Sequence, residues 1–118
     1  MTRVKIIDGD ELKTGDTEPN LSVELVKNNG VSQVLTGYEV HFRMREAGGD
    51  QLIVDDDTTG NVSITGEDQG KVEYSWQPGD TETPATYECE FEIDDSADSI
   101  ITFPNSGFFT VLIEEGLD

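Results

Sequence analysis

The chain contains one cysteine, one histidine and only seven lysines and arginines in 118 residues. A lone Cys89 excludes an internal disulfide. One histidine with one cysteine cannot furnish the nitrogen and sulfur ligands of an ordinary zinc site. The shortage of cations speaks against nucleic acid as a partner, because phosphate binding requires a basic patch. No apolar run is long enough to span a membrane, and no charged-then-apolar leader opens the chain. The expectation is therefore a protein held in the cytoplasm until something else releases it, with no membrane partner. Nowhere does a 3.6-residue hydrophobic period persist beyond a turn, which leaves helices out of the expected architecture. Missing too are a phosphate-cradling Gly-rich loop ending in Lys-Ser/Thr, a His-Glu-x-x-His pair and a Gly-x-Ser-x-Gly elbow. The reading is of a protein that is not an enzyme and uses no cofactor.

Carboxylates are what the chain has in excess. Its 26 aspartates and glutamates give a formal charge of -19, and they are spread along the sequence instead of gathered in a tail. Such a surface repels itself and destabilises the compact state at low ionic strength. In molar salt the Debye length falls to about 3 Å and the repulsion is screened, so the composition points to a halophilic source. The same abundance guarantees chance carboxylate pairs, and a pair suited to glycoside hydrolysis carries no signal here. Hydrophobic residues make up 34% of the chain, which with this charge resembles a disordered composition. Regular alternation of apolar and polar residues argues for a fold instead.

That alternation is clearest from Gly70 to Asp94. Val72, Tyr74 and Trp76 face one way against Glu73, Ser75 and Gln77; Tyr87, Cys89, Phe91 and Ile93 then alternate with Glu88, Glu90, Glu92 and Asp94. With two prolines and a glycine in Gln77 to Pro84, the segment reads as a hairpin with a long loop. Upstream, Leu21, Val23 and Leu25 define a strand that stops at the turn signal Asn28-Asn29-Gly30. Tyr38, Val40, Phe42 and Met44 line the dry face of another strand. Arg3 to Ile7 is an edge strand or an arm, and 1–16 stands apart from the main pairings. Short strands are also expected at Gln51 to Val54, Asn61 to Thr65, Ser99 to Phe103 and Phe108 to Glu114. Eight or nine strands at this spacing predict an all-β sandwich or barrel in a single domain, 1–118.

A few residues are candidates for more than folding. Glu39, His41, Arg43 and Arg45 share the wet face of their strand, where the basic groups either pair with acids on a neighbour or form an anion site. Cys89 belongs to the inward series and reads as a small buried apolar residue. The last strand is apolar on both faces: Phe109, Val111 and Ile113 form one series, Phe108, Thr110 and Leu112 the other. Internal cover of both faces is expected; if one is left open, Phe108 and Leu112 are the partner contact. Asp8-Gly9-Asp10, Asp55-Asp56-Asp57 and Asp94-Asp95-Ser96-Ala97-Asp98 read as acidic turns able to offer hard oxygen ligands, none with a complete calcium loop. Asn20-Leu21-Ser22 and Asn61-Val62-Ser63 match the glycosylation acceptor pattern by chance.

In Tyr87-Glu88-Cys89 a tyrosine stands two residues before a cysteine, as in the tyrosine corner of immunoglobulin-like domains. A longer match runs through Val4-Lys5-Ile6-Ile7, Gly15-Asp16-Thr17-Glu18-Pro19, Leu35 to Arg45, Gly70 to Thr81 and Phe103 to Val111. These segments, in this order and at these intervals, resemble the N-terminal module of the phage baseplate upper protein family. The resemblance implies an immunoglobulin-like antiparallel β-sandwich that serves as a building block of a virus particle, with other virion proteins, or copies of itself, as partners. Longer members use the module to dock a receptor-binding part. Here the chain stops at Asp118, so the expectation is a small separate subunit of the baseplate, tail or capsid exterior, located in the virion and released by host lysis. The alternative is a ligand-binding or adhesion module for surface glycans.

Overall fold

A computed structural model describes residues 1–97 and 99–117 of the chain. Among them are ten strands: β1 (Arg3–Asp8), β2 (Glu11–Lys13), β3 (Leu21–Val26), β4 (Glu39–Glu46), β5 (Leu52–Asp57), β6 (Val62–Gly66), β7 (Lys71–Tyr74), β8 (Ala85–Asp94), β9 (Ile100–Phe103) and β10 (Phe109–Glu114). The one helical element among the described residues is a single 3-10 turn at Glu67–Gln69. Four strands form one sheet in the order β1-β3-β7-β6; the other runs β2-β10-β8-β4-β5, with β9 also paired to β8. This is an all-β sandwich with immunoglobulin-like strand order. β9 and β10 follow one another along the same edge of the ten-residue β8, which pairs with β4 on its other side.

The period-2 pattern places the core where the sequence expects it. Leu21, Val23 and Leu25 of β3 and Val72 and Tyr74 of β7 meet Val40, Phe42 and Met44 of β4 and Tyr87, Cys89, Phe91 and Ile93 of β8, all buried. Phe42 is the hub. Its ring lies 4.8 Å from Tyr74 and 5.0 Å from Phe91, and Phe91 in turn stacks on Phe109. Trp76 stands edge-on to Tyr74 and Phe42. Its Nε1–H has no hydrogen-bond acceptor among the described residues.

The segment from Gly70 to Asp94 is not a hairpin. β7 pairs with β3 and β6, whereas β8 pairs with β4, β9 and β10. Residues 77–84 therefore carry the chain across the core from one sheet to the other. Alternation marks a dry face on each strand but is the same whether two strands lie side by side or face each other about 10 Å apart. The crossover is pinned at three points. Asp80 Oδ2 accepts from Tyr74 Oη at 2.6 Å and from the Gln77 backbone N–H at 2.8 Å. Buried Thr81 donates through Oγ1 to the Asp16 carbonyl. Tyr87 Oη donates to the Thr83 carbonyl four residues upstream, completing the tyrosine corner.

The N-terminal segment also departs from expectation. β1 is an edge strand, as expected, but 1–16 does not stand apart from the main pairings: β2 joins the six-stranded sheet through a parallel pairing with β10, Leu112 opposite Glu11 and Glu114 opposite Lys13. The sandwich is thus antiparallel except at this pair. Between β1 and β2 the chain switches sheets at Gly9, whose φ of +81° and closeness to the Asn20 carbonyl leave no room for a Cβ.

Asp55-Asp56-Asp57 is not a turn. The three aspartates are the second half of β5, opposite Arg43, Phe42 and His41. Asp56 then organises the following turn: its Oδ2 accepts from Asn61 Nδ2 and from the Asn61 N–H, and Gly60 supplies the space for its carboxylate. At Asp94 to Ser99 the expected acidic turn is found, with Asp94 and Asp95 accepting from the backbone N–H groups of Ser96, Ala97 and Ser99. Asp98 lies outside the described residues.

Candidate functional site

The outer face of the six-stranded sheet gathers most of the residues singled out above. Because β4, β5 and β8 alternate in register, the wet sides of the three strands form rows of opposite charge. Arg43 sits between Asp55 of β5 at 3.3 Å and Glu92 of β8 at 3.1 Å. Arg45 pairs with Glu88 at 3.1 Å. Both guanidinium groups are consumed by carboxylates, so the anion-site reading finds no free cation in this pair. Partly exposed pairs of this kind are worth about 0.2–1 kcal/mol each.

Arg45 has a second neighbour. Its guanidinium carbon lies 4.8 Å from the centre of the Phe108 ring, a cation–π contact. Phe108 is 43% exposed, Thr110 is exposed and Leu112 half-buried on the same side of the chain. Expected internal cover of both faces is therefore overturned: among the described residues no layer lies over the Phe108–Leu112 side, while Val111 and Ile113 are buried on the other.

At the other end of the β4 row, His41 stands between two carboxylates. Nε2 is 3.4 Å from Glu39 Oε1 and Nδ1 is 3.9 Å from Asp57 Oδ2. Asp57 Oδ1 accepts from the Thr59 hydroxyl and backbone N–H. These bonds, the hydroxyl's first, hold its carboxyl below the ordinary carboxylate range, with a smaller contribution from His41. Sequence reading put His41 on this face but missed Asp57 as its neighbour, because it took the three aspartates for a turn.

The remaining candidates have structural roles. Cys89 is buried on the inner face of β8, its thiol pushed up by burial, and His41 is on the opposite face of the sheet. Asn20 Nδ2 donates to Glu73 and Asn61 Nδ2 to Asp56, so both acceptor-pattern asparagines are engaged within the fold. Asp8 Oδ1 accepts from the Gly9 N–H, and the Asp10 carbonyl accepts from the Leu112 N–H. A separate open cleft of about 510 Å³ lies where Thr2, the turn Lys27-Asn28-Asn29, Gln33 and β9 meet. Its lining is rich in amides and includes Ile100, and no aromatic ring contributes.

No protein-family model matches this chain, and a search of curated proteins finds no match either.

Proposed function

We propose that this protein is a non-enzymatic structural subunit of a tailed-virus particle, a docking or decorating module of the baseplate, tail or capsid exterior, from a halophilic host. The resemblance of five ordered segments to the phage baseplate upper protein module supports the particle role. The observation that carries a docking role is the uncovered side of β10 and of the residue that precedes it, where Leu112 and Phe108 stand beside the ion-paired face of β4 and β8. An exposed aromatic ring capped by an arginine is the kind of anchor that protein interfaces favour. The partner on this reading is another virion protein or a second copy of the chain, and the acidic surface keeps the module soluble in concentrated salt.

Mass spectrometry of purified particles tests the reading, with the expectation that the chain is present in stoichiometric amounts; absence from intact virions overturns it. Phe108→Asp, which removes a half-exposed ring without touching the core, is expected to lower incorporation while leaving the melting temperature nearly unchanged.

A second reading, recognition of surface glycans, has one observation in its favour. The amide-lined cleft at Lys27, Asn28, Asn29, Gln33 and Asn105 offers hydrogen-bonding groups of the type sugars use. A glycan array without a response removes it.

A further inference from the structure

We propose that Glu39, His41 and Asp57 form a site for one divalent transition-metal ion of the zinc, nickel or copper class on the outer face of the six-stranded sheet. Three features of the fold converge there. Strand periodicity sets Glu39 and His41, two residues apart, on the same side of β4. Antiparallel register sets Asp57 of β5 directly opposite His41. One donor atom from each of the three residues can be chosen so that all lie within 4.8 Å of one another.

Metal–ligand bonds of about 2.1 Å call for donor separations of about 3 Å between adjacent positions and about 4 Å between opposite ones. Asp57 Oδ2 lies 3.9 Å from His41 Nδ1 and Glu39 Oε1 lies 3.4 Å from the other ring nitrogen, Nε2, so binding one ion at a single nitrogen requires the exposed Glu39 side chain to rotate toward the edge that Asp57 faces. The ion takes one ring nitrogen and one oxygen from each carboxylate, with water in the remaining positions. Thr59 occupies Asp57 Oδ1, while Oδ2 is the oxygen that stands 3.9 Å from His41 Nδ1. Outer partners that fix a ligand in this way raise metal affinity. Two carboxylates and a neutral imidazole carry a charge that a dication neutralises. Arg43, two residues along the same face of β4, is engaged by Asp55 and Glu92.

The imidazole separates this cluster from the rest of the acidic surface. Calcium and magnesium prefer oxygen alone, whereas a nitrogen donor favours zinc, nickel and copper. His41 is the only histidine of the chain, so its ring protons give two carbon-bound resonances that need no assignment by mutation.

The test is a titration of the full chain with zinc chloride in 1 M potassium chloride and excess magnesium, conditions that suppress diffuse binding to carboxylates. Proton NMR of the His41 ring and calorimetry are read together. One equivalent of zinc is expected to move or broaden both ring resonances, and calcium to leave them unchanged. His41→Gln and Asp57→Asn are each expected to weaken zinc binding at least tenfold. The wild-type ring spectrum stands as evidence whether or not the variants fold. Ring resonances that stay still at saturating zinc overturn the proposal, as does undiminished zinc affinity in a folded His41→Gln variant.

Discussion

The tie between Tyr74 and Asp80 can be weighed by a double-mutant cycle. Tyr74 is buried, and its hydroxyl donates to Asp80 Oδ2 at 2.6 Å, an acceptor it shares with the Gln77 N–H. Burial, then Asp80 as acceptor and negative neighbour, pushes the phenol well above its ordinary range, so it stays a neutral donor wherever the protein is folded. Tyr74→Phe loses one charge-assisted bond, about 1.5–3 kcal/mol, while half-buried Asp80 turns to water. Asp80→Ala loses the same bond and in addition strands a buried hydroxyl without an acceptor, a further penalty of about 1–3 kcal/mol. Once the hydroxyl is gone, that penalty disappears. The double variant is therefore expected to cost less than the sum of the two single ones, with a coupling that combines the bond and the stranding penalty, about 2.5–6 kcal/mol, at or above the upper end of the range usual for contacting residues. Urea unfolding in molar potassium chloride measures it. For a slope of about 1–3 kcal/mol per molar, a loss of about 3 kcal/mol lowers the midpoint by about 1–3 M. Costs that add within about 0.5 kcal/mol would refute the claim that this bond pins the crossover between the sheets.

Three further outcomes are expected. Thermal melts followed by circular dichroism should shift upward from dilute buffer to molar potassium chloride, because 26 acids face seven lysines and arginines; equal melting temperatures in both would sink the halophile argument. Asp57 should protonate below the ordinary carboxylate range in a carbon-detected NMR titration, and Thr59→Val should return it part of the way upward. Since its folded value is depressed, its stabilising contribution is present above the ordinary carboxylate pKa and fades as the pH falls through the lowered one; a Thr59→Val titration identical to wild type contradicts the assigned cause. Cys89, buried and with its thiol pushed up, should react with a thiol reagent at pH 8 only as fast as the chain opens, and labelling at the rate of a free thiol would show the inner face of β8 to be accessible.

How much of this was legible in the sequence depends on which question is asked of each strand. Inward and outward sides of β3, β4, β7 and β8 follow directly from alternation, and the aromatic hub at Phe42 follows from them. Pairing does not. The identical rhythm of β7 and β8 conceals that they face each other across the core. Asp55-Asp56-Asp57 reads as a turn because aspartate is a poor strand former, yet Arg43 and His41 opposite make the extended conformation favourable there. β2 has a single buried side chain, Leu12, in three residues, too short a stretch for any period to register. Phe108 was legible as an apolar residue but not as an uncovered one, since its arginine neighbour comes from a strand more than sixty positions upstream. The cluster around His41 was half visible: Glu39 is adjacent by periodicity, whereas Asp57 requires knowing the register of β5.

The parallel alignment of β2 and β10 bears on how the module would respond to tension. Hydrogen bonds tie the two strands side by side at Leu112 to Asp10 and at Thr14 to Glu114. Traction applied at opposite ends of the polypeptide slides one strand lengthwise past the other, so the bonds between them resist in shear and must rupture together instead of unzipping in turn. A small domain placed under load at both ends is thereby given a mechanical clasp at the place where its second and last strands run alongside each other.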